Sequence, residues 1–187
     1  MLRGKKVVLR PIDIDRDLEN FYHWINDSEV NQFLGRPLMP ITRENERKKL
    51  HEMLSDKDTI VFAIDTLEGK HIGITGLHHI SLVNRSAVTG TFIGDPSDWS
   101  KGYGTDAKMA LLEYAFRELN LRRIESTVLA FNIRSLKCQL RCGYKIEGRK
   151  EKVFYKNRNW HDVIMLAVFQ GAWFKQEIWH AYMHQQQ

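Results

Sequence analysis

The sequence predicts a single α/β domain: one mixed, mostly antiparallel central sheet with helices on both faces. Three observations predict it. The 187 residues are the length of one ordinary domain. Short β-rich runs outnumber helical patterns. One strand–helix–strand crossover, Val88 to Leu129, sits mid-chain and adds a parallel pair to the sheet.

Val7 to Arg10, stopped by Pro11, reads as the first strand. Leu18, Phe21, Tyr22 and Ile25 recur at helical spacing behind Asp15 and Asp17, which suit a helix start. Thr42 caps a second helix that turns Leu50, Met53 and Leu54 inward. Ile60 to Asp65 and Ile72 to Ile80, joined through Glu68-Gly69-Lys70, form a hairpin, and Val88 to Ile93 follows as another strand. The helix running to Leu119 has apolar residues on most sides and a narrow polar stripe of Asp106, Glu113 and Arg117, as expected of a helix packed on a sheet. After the strand Arg123 to Leu129 comes a short helix from Ile133 to Cys142, stopped by Gly143. Two strands, near Tyr144–Ile146 and Val163–Phe169, flank a basic, aromatic stretch. Residues 1–170 make the domain and residues 171–187 an aromatic helical tail, with Phe174, Ile178 and Tyr182 at helical spacing beside Trp173 and Trp179.

The composition, 43% hydrophobic and 27% charged, is that of a soluble globular chain. No apolar run is long enough to span a membrane, and the amino terminus has no small-residue cleavage site, so a cytoplasmic protein without membrane contact is expected. Cys138 and Cys142 lie four apart on a helix, which suits two reduced thiols better than a disulfide, and His180 and His184 read as solvated. The net charge of +5 favours an anionic partner. Its scatter over short basic clusters argues against nucleic acid.

Gly102-Tyr103-Gly104 stands ahead of a helix, where glycines let the backbone approach an anion and aim free N–H groups at it. With Ala107 and Glu125 the segment also spells the dinucleotide pattern G-x-G-x-x-A followed by an acid. That reading fails: several residues separate Ile93 from Gly102, most of the sheet precedes the motif, and the chain is too short for a second domain. A pyrophosphate on this loop remains the expectation.

The run Trp99-Ser100-Lys101-Gly102-Tyr103-Gly104 resembles the Q/R-x-x-G-x-G/A signature of the GCN5-related N-acetyltransferases, with Trp99 in place of Gln/Arg. Asn132-Ile133-Arg134-Ser135 followed by Gly143-Tyr144 is similar to a second block of that family, and Leu9-Arg10-Pro11 and the stretch from Trp24 to Val30 resemble its RimJ/RimL-like ribosomal-protein and spermidine acetyltransferase branch. The resemblance implies acetyl-CoA as cosubstrate, no metal, and transfer of its acetyl group to a primary amine. It implies that Phe92, Ile93 and Gly94 pair with the pantetheine arm and polarise the thioester carbonyl. Trp99 and the run Ser100, Lys101, Gly102, Tyr103, Gly104 and Thr105 would hold the pyrophosphate, and Asn132 the pantetheine.

Many members use a tyrosine to protonate the departing sulfur; Gln139 stands at that position here. Ser135 is the branch's substitute, its structural alternative being a helix cap. Glu125 and His78 are the leading candidates for the base, beside His79 and Asp162, and water could also serve. The segment from Asn31 to Pro40 offers Arg36 and no carboxylate, which favours a peptide N-terminus or a small amine over a polyamine. A homodimer is a further expectation. The competing functions are a non-catalytic acyl-CoA-binding module and, against the charge pattern, an RNA-binding protein.

Overall fold

The computed structural model describes residues 1–35 and 39–184. Arg36 and the side chains of Ile178 and His184 lie outside the described residues. Eight strands form one sheet in the order β1-β2-β3-β4-β5-β6-β8-β7. They are β1 (Leu2–Arg3), β2 (Val7–Arg10), β3 (Ile60–Thr66), β4 (His71–Ser81), β5 (Ser86–Ile93), β6 (Arg123–Leu129), β7 (Lys145–Lys156) and β8 (Asn159–Phe169). The helices are α1 (Ile14–Asn26), α2 (Ser28–Asn31), α3 (Arg43–Ser55), α4 (Tyr103–Arg117), α5 (Ile133–Arg141), α6 (Gln170–Phe174) and α7 (Glu177–His184).

Among the described pairings, only β5 with β6 is parallel, and it lasts three residues, from Ser86↔Arg123 to Val88↔Glu125. Beyond Val88 the two strands part. Each keeps its other neighbour, β5 with β4 and β6 with β8, so the sheet splits into two antiparallel halves.

The larger core packs α4 and the tail against the sheet around Leu9, Ile64, Leu111, Phe116 and Trp173. The smaller core, Leu18, Phe21 and Leu50, lies under α1 and α3 beside Ile74. Asp13 caps α1 through its side chain, and Thr42 caps α3 as the sequence indicates. Leu54, expected inside, is exposed.

The tail is no appendage. Trp173, Trp179 and Tyr182 are buried in the larger core, so residues 170–184 complete the domain that the sequence ended near 170. Trp173 Nε1 donates to the Cys142 carbonyl at 3.0 Å, closing the carboxyl end of α5.

Asp106, expected in a polar stripe, is buried as well. Its carboxylate accepts the backbone N–H groups of Lys5, Lys6 and Val7 at 2.7–3.0 Å, and the Tyr182 hydroxyl at 3.2 Å. The basic stretch after Ile146 is itself strand, pairing Lys145–Lys156 with β8. Its residues are mostly exposed, so no apolar alternation marks it.

Candidate active site

Where β5 and β6 part, a groove of about 880 Å³ opens between them, bounded by the loop before α4 and by the first turns of α5. Backbone direction decides which groups face it. Gly94 N–H donates to Ile72 O on β4 at 2.9 Å. By alternation the Phe92 amide also turns to β4, while the N–H and C=O of Thr91 and Ile93 turn to the groove. Gly94 is therefore withdrawn from the pantetheine contacts. It is glycine because a Cβ there would run into the Trp24 ring.

Ser100 (φ 62°) and Gly102 (φ 89°) take left-handed backbone conformations that fold the loop back toward β5. No side chain caps α4 at Gly102, which leaves the first-turn amides of Tyr103, Gly104 and Thr105 without a side-chain acceptor. Uncapped amides at a helix start, with Lys137 and Arg141 on the opposite wall, suit a pyrophosphate. Phe92, Ile93, Trp99, Ser100, Gly102, Tyr103, Gly104, Thr105 and Asn132 all line this groove. Lys101 does not; its ammonium pairs with Asp98 at 3.1 Å, and its carbonyl accepts from Lys6 Nζ at 3.0 Å.

Trp99 occupies the signature's first position in a structural way. Its indole N–H donates to Ile93 O at 2.8 Å, and the Arg134 guanidinium stacks 3.7 Å from the centre of its ring. The loop, the end of β5 and α5 are thereby tied together.

Ser135 lines the groove, and the cap of α5 is Asn132, whose Oδ1 accepts Ser135 N–H at 3.1 Å. The capping role suggested for Ser135 thus belongs to Asn132. One turn on, Gln139 is buried. Its Nε2 donates to Ser126 Oγ at 2.7 Å, and its Oε1 has no partner among the described residues.

The two proposed bases separate. Glu125 points away from the groove and is held by Arg123 at 2.9 Å, which also grips Glu147. The two-residue alternation that puts Ser126 inside puts Glu125 outside. Asp162 is bound to Arg149 and to the Lys152 amide, on the β7–β8 side. His78 lines an adjoining chamber of about 390 Å³ under α1 and α3. Burial, reinforced by His79, lowers its pKa. The chamber shares Gly90, Thr91 and Phe92 with the groove, so β5 is the wall between the two spaces.

Sequence reasoning missed Lys108, a groove-lining side chain only 1% exposed. The signal was a lysine inside an otherwise apolar stretch of helix. Cys138 also lines the groove: a hydrogen bond from Cys142, opposed by burial and helped by the Lys108 charge, brings its pKa to about 6.

A split sheet whose open strand edge faces an uncapped helix start defines a protein that binds an extended ligand by one backbone edge and its anionic end by the helix amides. The Acetyltransferase (GNAT) domain model matches residues 6–145, and the chain belongs to that family. It is 32% identical over 177 residues to the probable N-acetyltransferase YjcK of Bacillus subtilis, covering 90% of this chain and 96% of that protein. It is 24% identical over 171 residues to the spermidine N(1)-acetyltransferase of Escherichia coli K12, covering 91% and 89%. In fold it is similar to the spermidine N-acetyltransferase of Vibrio cholerae in complex with CoA and spermine, with a TM-score of 0.83 at 21% identity over 92% of this chain and 100% of that one. The protein is an acetyl-CoA-dependent N-acetyltransferase, as the sequence indicated. No helix among the described residues is long and apolar enough to cross a membrane.

Proposed function

We propose that the acceptor is a peptide α-amine or small amine with an apolar flank, entering through the chamber under α1 and α3. The observation that carries this reading is the chamber wall. Its side chains include Phe21, Ile25, Leu50, Met53, Val61 and Ile74, and Glu46 is the one carboxylate among its described lining residues. A polyamine carries several ammonium groups and calls for several carboxylates. An apolar flank instead gains roughly 25 cal/mol for each Å² it buries.

In this reading the thioester lies across the wall formed by Gly90, Thr91 and Phe92, within reach of an amine in the chamber. The first turn of α4 and the Trp99–Thr105 loop, without Lys101, bind the pyrophosphate. Asn132 Nδ2 holds the pantetheine, and the groove-facing amides of Thr91 and Ile93 stabilise charge on the thioester oxygen. His78, kept neutral by burial, accepts the proton that the attacking amine sheds. Ser135 Oγ donates a hydrogen bond to the sulfur. The RimJ/RimL-like assignment, a cytoplasmic location and a homodimer complete the proposal.

The test is a panel of free amines and short peptides assayed for thiol release. Turnover should favour peptides with an apolar first residue and amines with one apolar substituent. A higher kcat/KM for spermidine than for every apolar amine would overturn the assignment of the acceptor.

A further inference from the structure

We propose that Lys108 is a catalytic residue, which hands its ammonium proton to the coenzyme A sulfur as the thioester bond breaks. The inference rests on acetyl-CoA occupying the groove between β5 and β6.

The first observation is position. Lys108 sits on the second turn of α4 between Ala107 and Met109, both of them core residues, and its side chain runs to the point where the sheet splits. Nζ donates to Thr89 Oγ1 at 3.2 Å, one residue beyond the last β5–β6 pair. Thr89 is itself joined to the Tyr144 hydroxyl at 2.8 Å, and Ser126 Oγ reaches Thr89 O at 3.5 Å across the gap.

The second observation is what surrounds the charge. β5 and β6 offer the hydroxyls of Thr89 and Ser126; Cys138 of α5, with its pKa of about 6, and the buried Cys142 just after α5 lie close to Nζ without a hydrogen bond to it. The Tyr144 ring lies 5.4 Å away, its phenol kept neutral by burial. Asp106, two residues earlier on the same helix, is committed to Lys5, Lys6, Val7 and Tyr182. An ammonium with three donors thus has one oxygen acceptor among the described residues.

The buried Lys156 shows what a lysine with a purely structural role looks like in this chain. Its Nζ reaches Asn31 O at 2.6 Å, Asn31 Oδ1 at 3.3 Å and Leu34 O at 2.8 Å. Lys108 is kept at a cost that packing does not explain, since a methionine would fill the same space. The buried Oε1 of Gln139, lining the same groove, has no hydrogen-bond partner among the described residues. The remaining donors of Lys108 and the Gln139 oxygen both stand where a polar ligand atom would complete them.

The chemistry accounts for the lysine. When the intermediate collapses, the C–S bond breaks and its electron pair goes to sulfur. A Lys108 N–H bond breaks as the proton moves to that sulfur, giving the free thiol and a neutral amine. The extra proton on the new amide nitrogen leaves through His78 or water, and Lys108 regains its proton from solvent as the thiol departs. The sum is thioester plus amine to amide plus thiol. Burial lowers the Lys108 pKa below its ordinary value, which makes the ammonium a readier proton donor than an exposed lysine. No tyrosine is needed at position 139 if the donor reaches the sulfur from α4.

Lys108→Met tests this without relying on turnover. In the binary complex with coenzyme A, the ultraviolet absorbance of the thiolate reports the titration of the bound thiol. That thiol should titrate lower in the wild type than in K108M by about one unit. With acetyl-CoA and a turned-over amine, K108M should lose about 100-fold in kcat while its acetyl-CoA Kd moves by less than about threefold. Gln139→Tyr in the K108M background should recover part of the loss.

An unchanged thiol titration, or an unchanged kcat, would overturn the proposal. If K108M fails to fold, K108Q is read in its place by the same two measurements. A wild-type protein that releases thiol with no amine would refute the acetyl-transfer reading instead, and the titration would still report on Lys108.

Discussion

Arg10 and Lys108 are both buried cations, and their surroundings differ in kind. Arg10, on β2, holds Asp17 through two bonds of 2.7 Å and Asp65 through one of 2.8 Å. Asp17 in turn lies 3.4 Å from His71. Every charge in that cluster meets an opposite one, and it ties β2, α1 and β3 together. Lys108 has a threonine hydroxyl and no carboxylate. A cation held by two carboxylates is spent on architecture, whereas one with a single hydroxyl acceptor beside a groove retains donors for a ligand.

The sharpest break in this comparison is Asp17→Ala. It takes two of the three carboxylate bonds from the buried Arg10, leaving Asp65 alone, and should cost about 3 kcal/mol in denaturant unfolding. The same cluster sets an acid limit. Burial opposes ionisation of Asp17, but the bonds from Arg10 and the Asp13 amide outweigh it and hold the carboxyl below its ordinary 3.8. Its stabilisation is therefore complete above pH 3.8 and is lost as pH falls through the folded value, so the wild type should unfold in acid along a limb that Asp17→Ala lacks.

Gly104→Val extends the contrast from charge to shape. A Cβ at this position meets nothing nearer than Ile93 Cγ1 at 3.7 Å, so the fold should stand. The added bulk would project toward the bound anion, and acetyl-CoA affinity by calorimetry should fall at least about 100-fold, near 2.7 kcal/mol. Lys108→Met should cost far less in unfolding than Asp17→Ala, changing stability by less than about 1 kcal/mol, because Lys108 makes one hydrogen bond and no carboxylate pair.

Ser135→Ala should lower kcat about tenfold with its melting temperature nearly unchanged, the helix cap being Asn132. Smallest of all, Glu125→Gln should leave kcat within about twofold and shift stability by less than about 0.5 kcal/mol, as an exposed ion pair allows.

Much of the framework is legible in the sequence because it rests on local signals. Val7–Arg10 and Arg123–Leu129 are found to the residue, and the glycine loop announces its anion through backbone geometry alone. Contacts between distant segments are not legible in that way. Asp106 looks solvent-facing until the amino-terminal segment folds over it, and Lys108 looks like part of a helix until Thr89 arrives from another strand. The edge strand β7 hides because both its faces are polar. Glu125 reads as a base in the sequence, but which residues of β6 meet the groove depends on where β5 leaves β6, and at Glu125 the two strands are still paired.

The Trp173 bond to the Cys142 carbonyl has a consequence for the order in which the molecule is made. α5 walls the groove at its start, and residues near the carboxyl terminus close it at its end. Asp106, on the helix that binds the anion, is satisfied only when residues 5–7 and Tyr182 have both arrived. Translation supplies the catalytic loop well before these last contacts. A chain cut after Phe169 should carry every described groove residue and still bind acetyl-CoA poorly, because α5 then lacks Trp173 and Asp106 lacks Tyr182.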